Sequence, residues 1–357
     1  MNRRRLLKTL LSASLAVLAS RPALAADDAK GFAFKDAAGD HLDVTLDGKV
    51  VARYMYAHDT STKERAAETY KPYLHVFDAE GTAPITKGAG GDFTHHRGIF
   101  IGWNKITYDG KAYDRWHMKG GDIVHQKFAG QKADADAATF TSVTGWQADG
   151  PDKLILTEER TTTIRRAPAG AGRVVIDFTS KLTPTAADLT LDGDPEHAGI
   201  HFRPAQEIVR QETAYVYPKE KAEPHKDKDY PWVGENFTVR GKRYGVVEFS
   251  HPSNPAGTRW SAYRDYGRFG AFPKAEVKKG ESLTVKYRFL IADGEVPAAD
   301  VVQKIYDDFA GATAPSPVPQ VTRKPAEGAE KTPGGAKKPA ATKPAAKPPA
   351  EKPAAGK

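Results

Sequence analysis

From residue 32 to residue 291 the chain is a succession of short β-prone runs, and it offers a single amphipathic helix. The runs are Phe32 to Phe34, Leu42 to Leu46, Lys49 to Tyr56, Ile99 to Trp103, Leu154 to Ile164 and Arg173 to Lys181. They continue with Leu189 to Leu191, Gly199 to Phe202, Phe237 to Val239, Tyr244 to Phe249, Thr258 to Tyr263 and Ser282 to Ile291. Gly, Asp, Asn and Pro turn signals separate them at short intervals. Pro168-Ala169-Gly170-Ala171-Gly172 sits between two such runs and reads as the turn of a hairpin. The helix is expected over Asp300 to Phe309, where Val301, Ile305 and Phe309 share a stripe and Pro297 stands just before the start. Many strands and one helix have few ways to bury their apolar faces. The expected fold is mostly β: a large antiparallel β-sandwich with one C-terminal helix. No fixed-length repeat is present, which argues against a propeller.

Both ends differ from this body. Residues 1–25 carry Arg3-Arg4-Arg5, an apolar stretch from Leu6 to Ala19 and Ala23-Leu24-Ala25, the pattern of a cleavable export signal. Arg3-Arg4-Arg5-Leu6-Leu7-Lys8 also resembles the Arg-Arg-x-Leu-Leu-Lys pattern of a twin-arginine signal, so both export routes stay open. Residues 314–357 contain 10 prolines, many alanines and lysines and no aromatic residue, and are expected to be a disordered tail. The leader contributes +5 and the tail +6 to a net charge of +8, so the body, residues 26–313, is close to −3. A basic nucleic-acid face is therefore not expected of the body. The cationic tail could contact anionic envelope polymers. With no cysteine, disulfides and thiolate chemistry are excluded, and any metal site must use His and carboxylates.

Three segments concentrate groups that can do chemistry. Asp92-Phe93-Thr94-His95-His96-Arg97-Gly98 leads into the Ile99 to Trp103 run. Read as one strand, it places His96, Gly98, Phe100 and Gly102 on one face and His95, Arg97, Ile99, Ile101 and Trp103 on the other. The second, His197 to Glu207, puts His197, Gly199, His201, Arg203 and Glu207 on one face, with Ile200 and Phe202 pointing into an apolar layer. Glycines within such strands mark close approach of a ligand or of another backbone. In the third, Trp260 to Gly270, an extended chain would align Arg264, Tyr266 and Arg268. Guanidinium forks and aromatic faces suit hydroxyls, carboxylates and sugar CH faces. The structural alternative for each is a hydrogen-bonded network or a surface ladder. Lys219 to Tyr230 reads as an exposed charged loop in which His225 is solvated.

Tyr70-Lys71-Pro72-Tyr73-Leu74-His75, Gly81 to Thr86 and the Phe93 to Trp103 block together resemble the DUF6807 family, whose members are often labelled PmoA or methane oxygenase. The His197 to Arg203 and Tyr263 to Phe269 blocks are similar to its recurring segments, and the resemblance covers roughly residues 30–310. A membrane methane monooxygenase needs several spans of about 20 apolar residues, and the sequence after the leader has none. What the resemblance implies is a sandwich similar to galactose mutarotase, with a sugar cleft lined by His96, His197 and His201. The glutamate base usual in mutarotases has no clear counterpart here.

The sequence therefore points to an exported, periplasmic or secreted carbohydrate-active or carbohydrate-binding protein. His95, His96, His197 and His201 are the expected catalytic groups. Arg97, Trp103, Arg203, Glu207, Arg264, Tyr266 and Arg268 are expected to hold the ligand. Proton transfer by histidine would serve an epimerase, a lyase or a hydrolase. One alternative is a non-catalytic module binding cell-envelope glycan. Another is a metalloenzyme in which His95 or His96, with His197 and His201 and a carboxylate from Asp92 or Glu207, ligates a divalent ion. No other cofactor is expected, since no phosphate-binding loop is present, and the missing Gly-x-Ser-x-Gly elbow argues against a Ser-His-Asp hydrolase.

Overall fold

The computed structural model describes residues 30–328. The export signal and most of the basic tail lie outside the described residues. Two large antiparallel sheets make the body. Six strands, Phe32–Ala37, His41–Leu46, Lys49–Met55, Tyr73–Val76, Ile99–Trp103 and Ala198–Phe202, follow one another across the smaller sheet. The larger sheet has nine strands, from Thr322–Pro325 at one edge to Ile123–Ala133 at the other. Strands Leu154–Arg166 and Val174–Pro184 form its central hairpin around the turn expected at 168–172.

The inner faces meet through rings. Phe202 of the smaller sheet lies 6.0 Å from Phe237 and 6.4 Å from Phe289 of the larger. Trp103 meets Trp146 at 6.0 Å, and Tyr54 meets Phe140 at 5.2 Å. Burying each such side chain contributes roughly 1.5–3 kcal/mol, so this layer is where most of the stability resides. Alternation decides which residues enter it: along Leu154–Arg166, Leu156, Glu158, Arg160, Thr162 and Ile164 are buried and Glu159 is exposed. Two of these inward positions, Glu158 and Arg160, are charged and pair with each other.

The expected helix is present as Ala299–Ala310, ended by Gly311 in the left-handed conformation that glycine adopts without strain. A second, short helix, Lys63–Thr69, was not expected. Thr62 caps its start by accepting a hydrogen bond from the Arg65 amide at 3.1 Å. Part of the segment expected to be disordered is ordered. Thr322–Pro325 pairs with Ala214–Tyr217, so the chain is built into the sheet beyond residue 314. The proline-rich composition concealed a four-residue edge strand, a place where proline is tolerated. His225 is half exposed, yet its ring lies 4.0 Å from Tyr263 and it pairs with Glu327.

Candidate functional site

The outer face of the smaller sheet, away from the core, carries the site. Gly102 and Gly199 are directly paired across the Ile99–Trp103 and Ala198–Phe202 strands. A Cβ at Gly102 would collide with the Arg115 carbonyl, and one at Gly199 with the Ala271 carbonyl. The glycines therefore admit backbone rather than ligand, as one branch of the sequence argument allowed. They let two segments land on the sheet: the turn Asp114 to His117, and the Gly270–Phe272 strand that follows the Arg264 to Arg268 loop.

His95 and His96 do not belong to a strand. The His96 amide bonds the Phe93 carbonyl at 2.8 Å, closing a turn just before Ile99, with Phe93 at φ +51°. A strand would have sent the two imidazoles to opposite faces; the turn brings their centroids to 4.3 Å. The buried Lys87 ammonium anchors this loop by donating to the carbonyls of Gly88, Gly90 and His96. From the sheet and the facing turn come His197, His201 and His117. His95 lies 6.1 Å from His197 and 4.4 Å from His117, His117 lies 4.9 Å from His197, and His96 lies 5.5 Å from His201. Nitrogens of His95, His96 and His197 all fall within 4.8 Å of one another. Trp116 underlies the group, 5.0 Å from His201 and 5.9 Å from His197.

Two of the rings are braced in the same way. Asp114 accepts the Trp116 and His117 amides and holds His117 Nδ1 at 2.8 Å. Asp194 accepts the Glu196 amide and holds His197 Nδ1 at 2.7 Å, while Asn104 donates to its other oxygen. Each aspartate thereby fixes the ring and leaves Nε2 as the outward nitrogen. Burial would raise both carboxyls, but these hydrogen bonds bring Asp114 and Asp194 below the ordinary carboxylate range. The imidazoles go the other way. Burial, reinforced by His117, pushes His95 down to about 3, and burial with the Arg268 charge lowers His96 and His201. Burial also lowers His197, against the pull of Asp194. These four rings are neutral lone-pair donors at neutral pH.

A cationic and acidic edge adjoins them. Glu196 accepts from Tyr263 at 2.8 Å, from Arg264, and from the buried Arg268 at 3.3 Å. Burial opposes the ionisation of Glu196, and these donors overcome it, leaving its carboxyl below the ordinary range. Tyr266 lies 5.9 Å from His96, nearly parallel to it, and 4.7 Å from Phe93, which is 44% exposed. Arg203 donates to the Pro204 and Tyr266 carbonyls, with its Nε and Nη2 unpartnered. Beneath lies the buried Glu235, raised well above its usual range by burial, with neither oxygen partnered.

The residues expected from sequence thus divide. His95, His96, His197, His201, Arg203, Arg264, Tyr266 and Arg268 gather in one region, although Arg264 to Arg268 form a turn rather than an extended run. His201 is the deepest, with Nε2 facing the Arg97 carbonyl at 3.1 Å. Three are elsewhere. Trp103 is in the core and donates to the Pro273 carbonyl at 2.9 Å. Arg97 is spent on the end of the short helix, donating to the carbonyls of Ala67 and Glu68, both at 2.8 Å. Glu207 is exposed, pairs with Arg240 at 2.9 Å and lines a separate hollow of about 530 Å³ behind the histidine loop. Asp92 pairs with Arg210 at the surface, 3.2 Å away, rather than joining the imidazoles. Sequence reasoning missed His117, Phe93, Glu196 and the two bracing aspartates. A signal was available: Asp-x-x-His occurs at 114–117 and again at 194–197.

Among the described residues no helix is long and apolar enough to cross a membrane. Several solved structures are similar at low identity. Heparan sulfate lyase HepC from Pedobacter heparinus matches at 12% identity and TM-score 0.33 over 76% of this chain, which spans 36% of the lyase. A protein described as an aldose 1-epimerase from Klebsiella pneumoniae matches at 9% and TM-score 0.39, over 80% of this chain and 92% of that one. A galactose mutarotase related enzyme from Lactobacillus acidophilus matches at 9% and TM-score 0.30, over 75% and 100%. No curated protein was found to be similar in sequence. The model of a family of unknown function, DUF6807, matches residues 41–307, so the chain belongs to that family.

Proposed function

We propose that the protein binds and acts on a carbohydrate or glycoside at the outer face of the smaller sheet. The observation that carries this reading is the pairing of two unlike edges around one group of imidazoles. Phe93 and Tyr266 offer an aromatic edge, with Phe93 exposed to solvent. Glu196, Arg264 and Arg268 offer a polar edge of fixed charges. A sugar presents the complement: a CH face for aromatic rings and hydroxyls for guanidinium and carboxylate groups. The neutral imidazoles between the edges can accept hydrogen bonds from ligand hydroxyls. The Arg-rich, apolar opening of the sequence supports a periplasmic or secreted setting for such a protein.

A thermal-shift and calorimetric screen of mono- and oligosaccharides tests the reading. At least one sugar should stabilise the protein, and Phe93→Ala and Glu196→Gln should each remove that stabilisation while Glu207→Gln keeps it. No response to any sugar, or a response indifferent to Phe93 and Glu196, would reject it.

A further inference from the structure

We propose that His95, His96 and His197, with His117 as fourth ligand, form a site for one divalent late first-row metal ion, zinc in the first instance. Four observations converge on it. Nitrogens of His95, His96 and His197 already lie within 4.8 Å of one another, and the His117 ring, outside that triad, has its centroid 4.4 Å from that of His95 and 4.9 Å from that of His197. Zinc–nitrogen bonds of about 2.0–2.1 Å require ligand nitrogens about 3.4 Å apart in a tetrahedron, so binding would draw the rings inward. His96 is 1% exposed, yet neither of its nitrogens has a partner, and His95 Nε2 is likewise buried and unpartnered. Buried polar atoms of this kind normally find partners, so two adjacent rings lacking them point to something from outside the chain.

The bracing supports the same conclusion. His117 and His197 each bind a carboxylate through Nδ1, the arrangement that orients metal-ligating imidazoles and raises their basicity. Asp114 and Asp194 also supply negative charge behind the ligands, while Glu196 offsets Arg268 and Arg264 on the adjoining edge. The donor set selects the ion. Imidazole nitrogens suit Zn²⁺, Cu²⁺, Ni²⁺ and Co²⁺, whereas Ca²⁺ and Mg²⁺ require oxygen ligands. This set differs from the one drawn from sequence, which used His201 and a carboxylate from Asp92 or Glu207. His201 Nε2 faces a carbonyl, and both of those carboxylates pair with arginines elsewhere.

The inference does not depend on the carbohydrate reading, and its test uses no sugar. Full-length protein without a histidine tag is stripped with a chelator, dialysed and titrated with ZnCl₂, and separately with CoCl₂. One zinc per chain should bind, and cobalt should give the visible d–d absorption of a tetrahedral nitrogen site. His197→Ala and the double variant His95→Ala/His117→Ala should lose both signals. Asp194→Asn should weaken zinc binding by about 10–100-fold, the usual effect of removing a carboxylate behind a ligand. His251→Ala, at a distant surface position, should change nothing. Circular dichroism of the metal-free variants separates loss of ligand from loss of fold. Zinc at trace level, or binding that survives in folded His197→Ala, would overturn the proposal. Sugar binding by stripped protein together with absent zinc binding would remove this inference and leave the proposed function standing.

Discussion

Two of the groups of polar side chains buried among the described residues are built on opposite principles. In the core, Glu158 and Arg160 form an ion pair on one strand, both nearly or fully inaccessible. Each Glu158 oxygen is saturated. One accepts from Arg160 Nε at 2.9 Å and Ser180 at 2.8 Å; the other accepts from Arg160 Nη2 and Trp146, both at 2.9 Å, and from Thr144 at 3.1 Å. Around the histidine site, His96, His201, Arg203 and Arg268, with Glu235 from strand Trp232–Val239 of the larger sheet, keep unpartnered atoms although they are just as buried. A saturated network stabilises what is already folded. An unsaturated one costs stability and is retained where a ligand completes it.

This contrast can be broken by mutation. Arg160→Ala leaves Glu158 buried and uncompensated and should destabilise the protein by about 3–5 kcal/mol in urea unfolding. The double replacement Glu158→Leu/Arg160→Met removes both charges and should cost much less than Arg160→Ala alone. If the double variant is the worse of the two, the pair is more than a self-compensating unit. Arg97→Ala unties the short helix from the histidine turn and should cost about 1–3 kcal/mol, since three carbonyls lose a charged donor. In the outer group the expectation reverses: His96→Phe should change the stability of metal-free protein by about 1 kcal/mol or less, because no hydrogen bond is lost.

The smallest effect is one of pH. Burial raises Glu235 above its unfolded value, so folding favours its protonated form, and its contribution to stability is lost as pH rises through and above the ordinary carboxylate range. Glu158 has the opposite sign. Burial opposes its ionisation, but Arg160 overcomes this and lowers it, so its contribution is complete above the ordinary range and fades as pH falls through its native value. Glu235→Gln should therefore stabilise the protein modestly at neutral pH and leave acid stability nearly unchanged. Destabilisation at neutral pH would show that Glu235 is ionised and paired.

Much of this architecture was legible in the sequence. Alternation located the Ile99–Trp103 strand and the central hairpin, and the helical stripe located Ala299–Ala310 within a residue at each end. Strand register placed His201 opposite the apolar Ile200 and Phe202, but it sent His95 and His96 to opposite faces, and the turn that holds them side by side was not legible. Two of the three misplaced residues share a cause. Arg97 and Trp103 carry groups suited to a ligand, but backbone carbonyls claim them, and no spacing rule identifies which carbonyls a fold leaves unsatisfied. His117 was hidden because it comes from a turn, remote in sequence from the other histidines, that lies against the sheet where Gly102 leaves room for the Arg115 carbonyl. The Glu158–Arg160 pair was hidden because alternating charges on a strand look the same whether they face water or a saturated pocket.

Anomalous diffraction at the zinc edge, from crystals of untagged protein grown with zinc, tests directly whether the unsaturated group exists to receive something from outside. One peak among His95, His96, His117 and His197, within bonding distance of their ring nitrogens, is the expected result. A map with no zinc there, and with those nitrogens bonded instead to protein groups or to ordered water, would contradict it and make the histidines a second structural network.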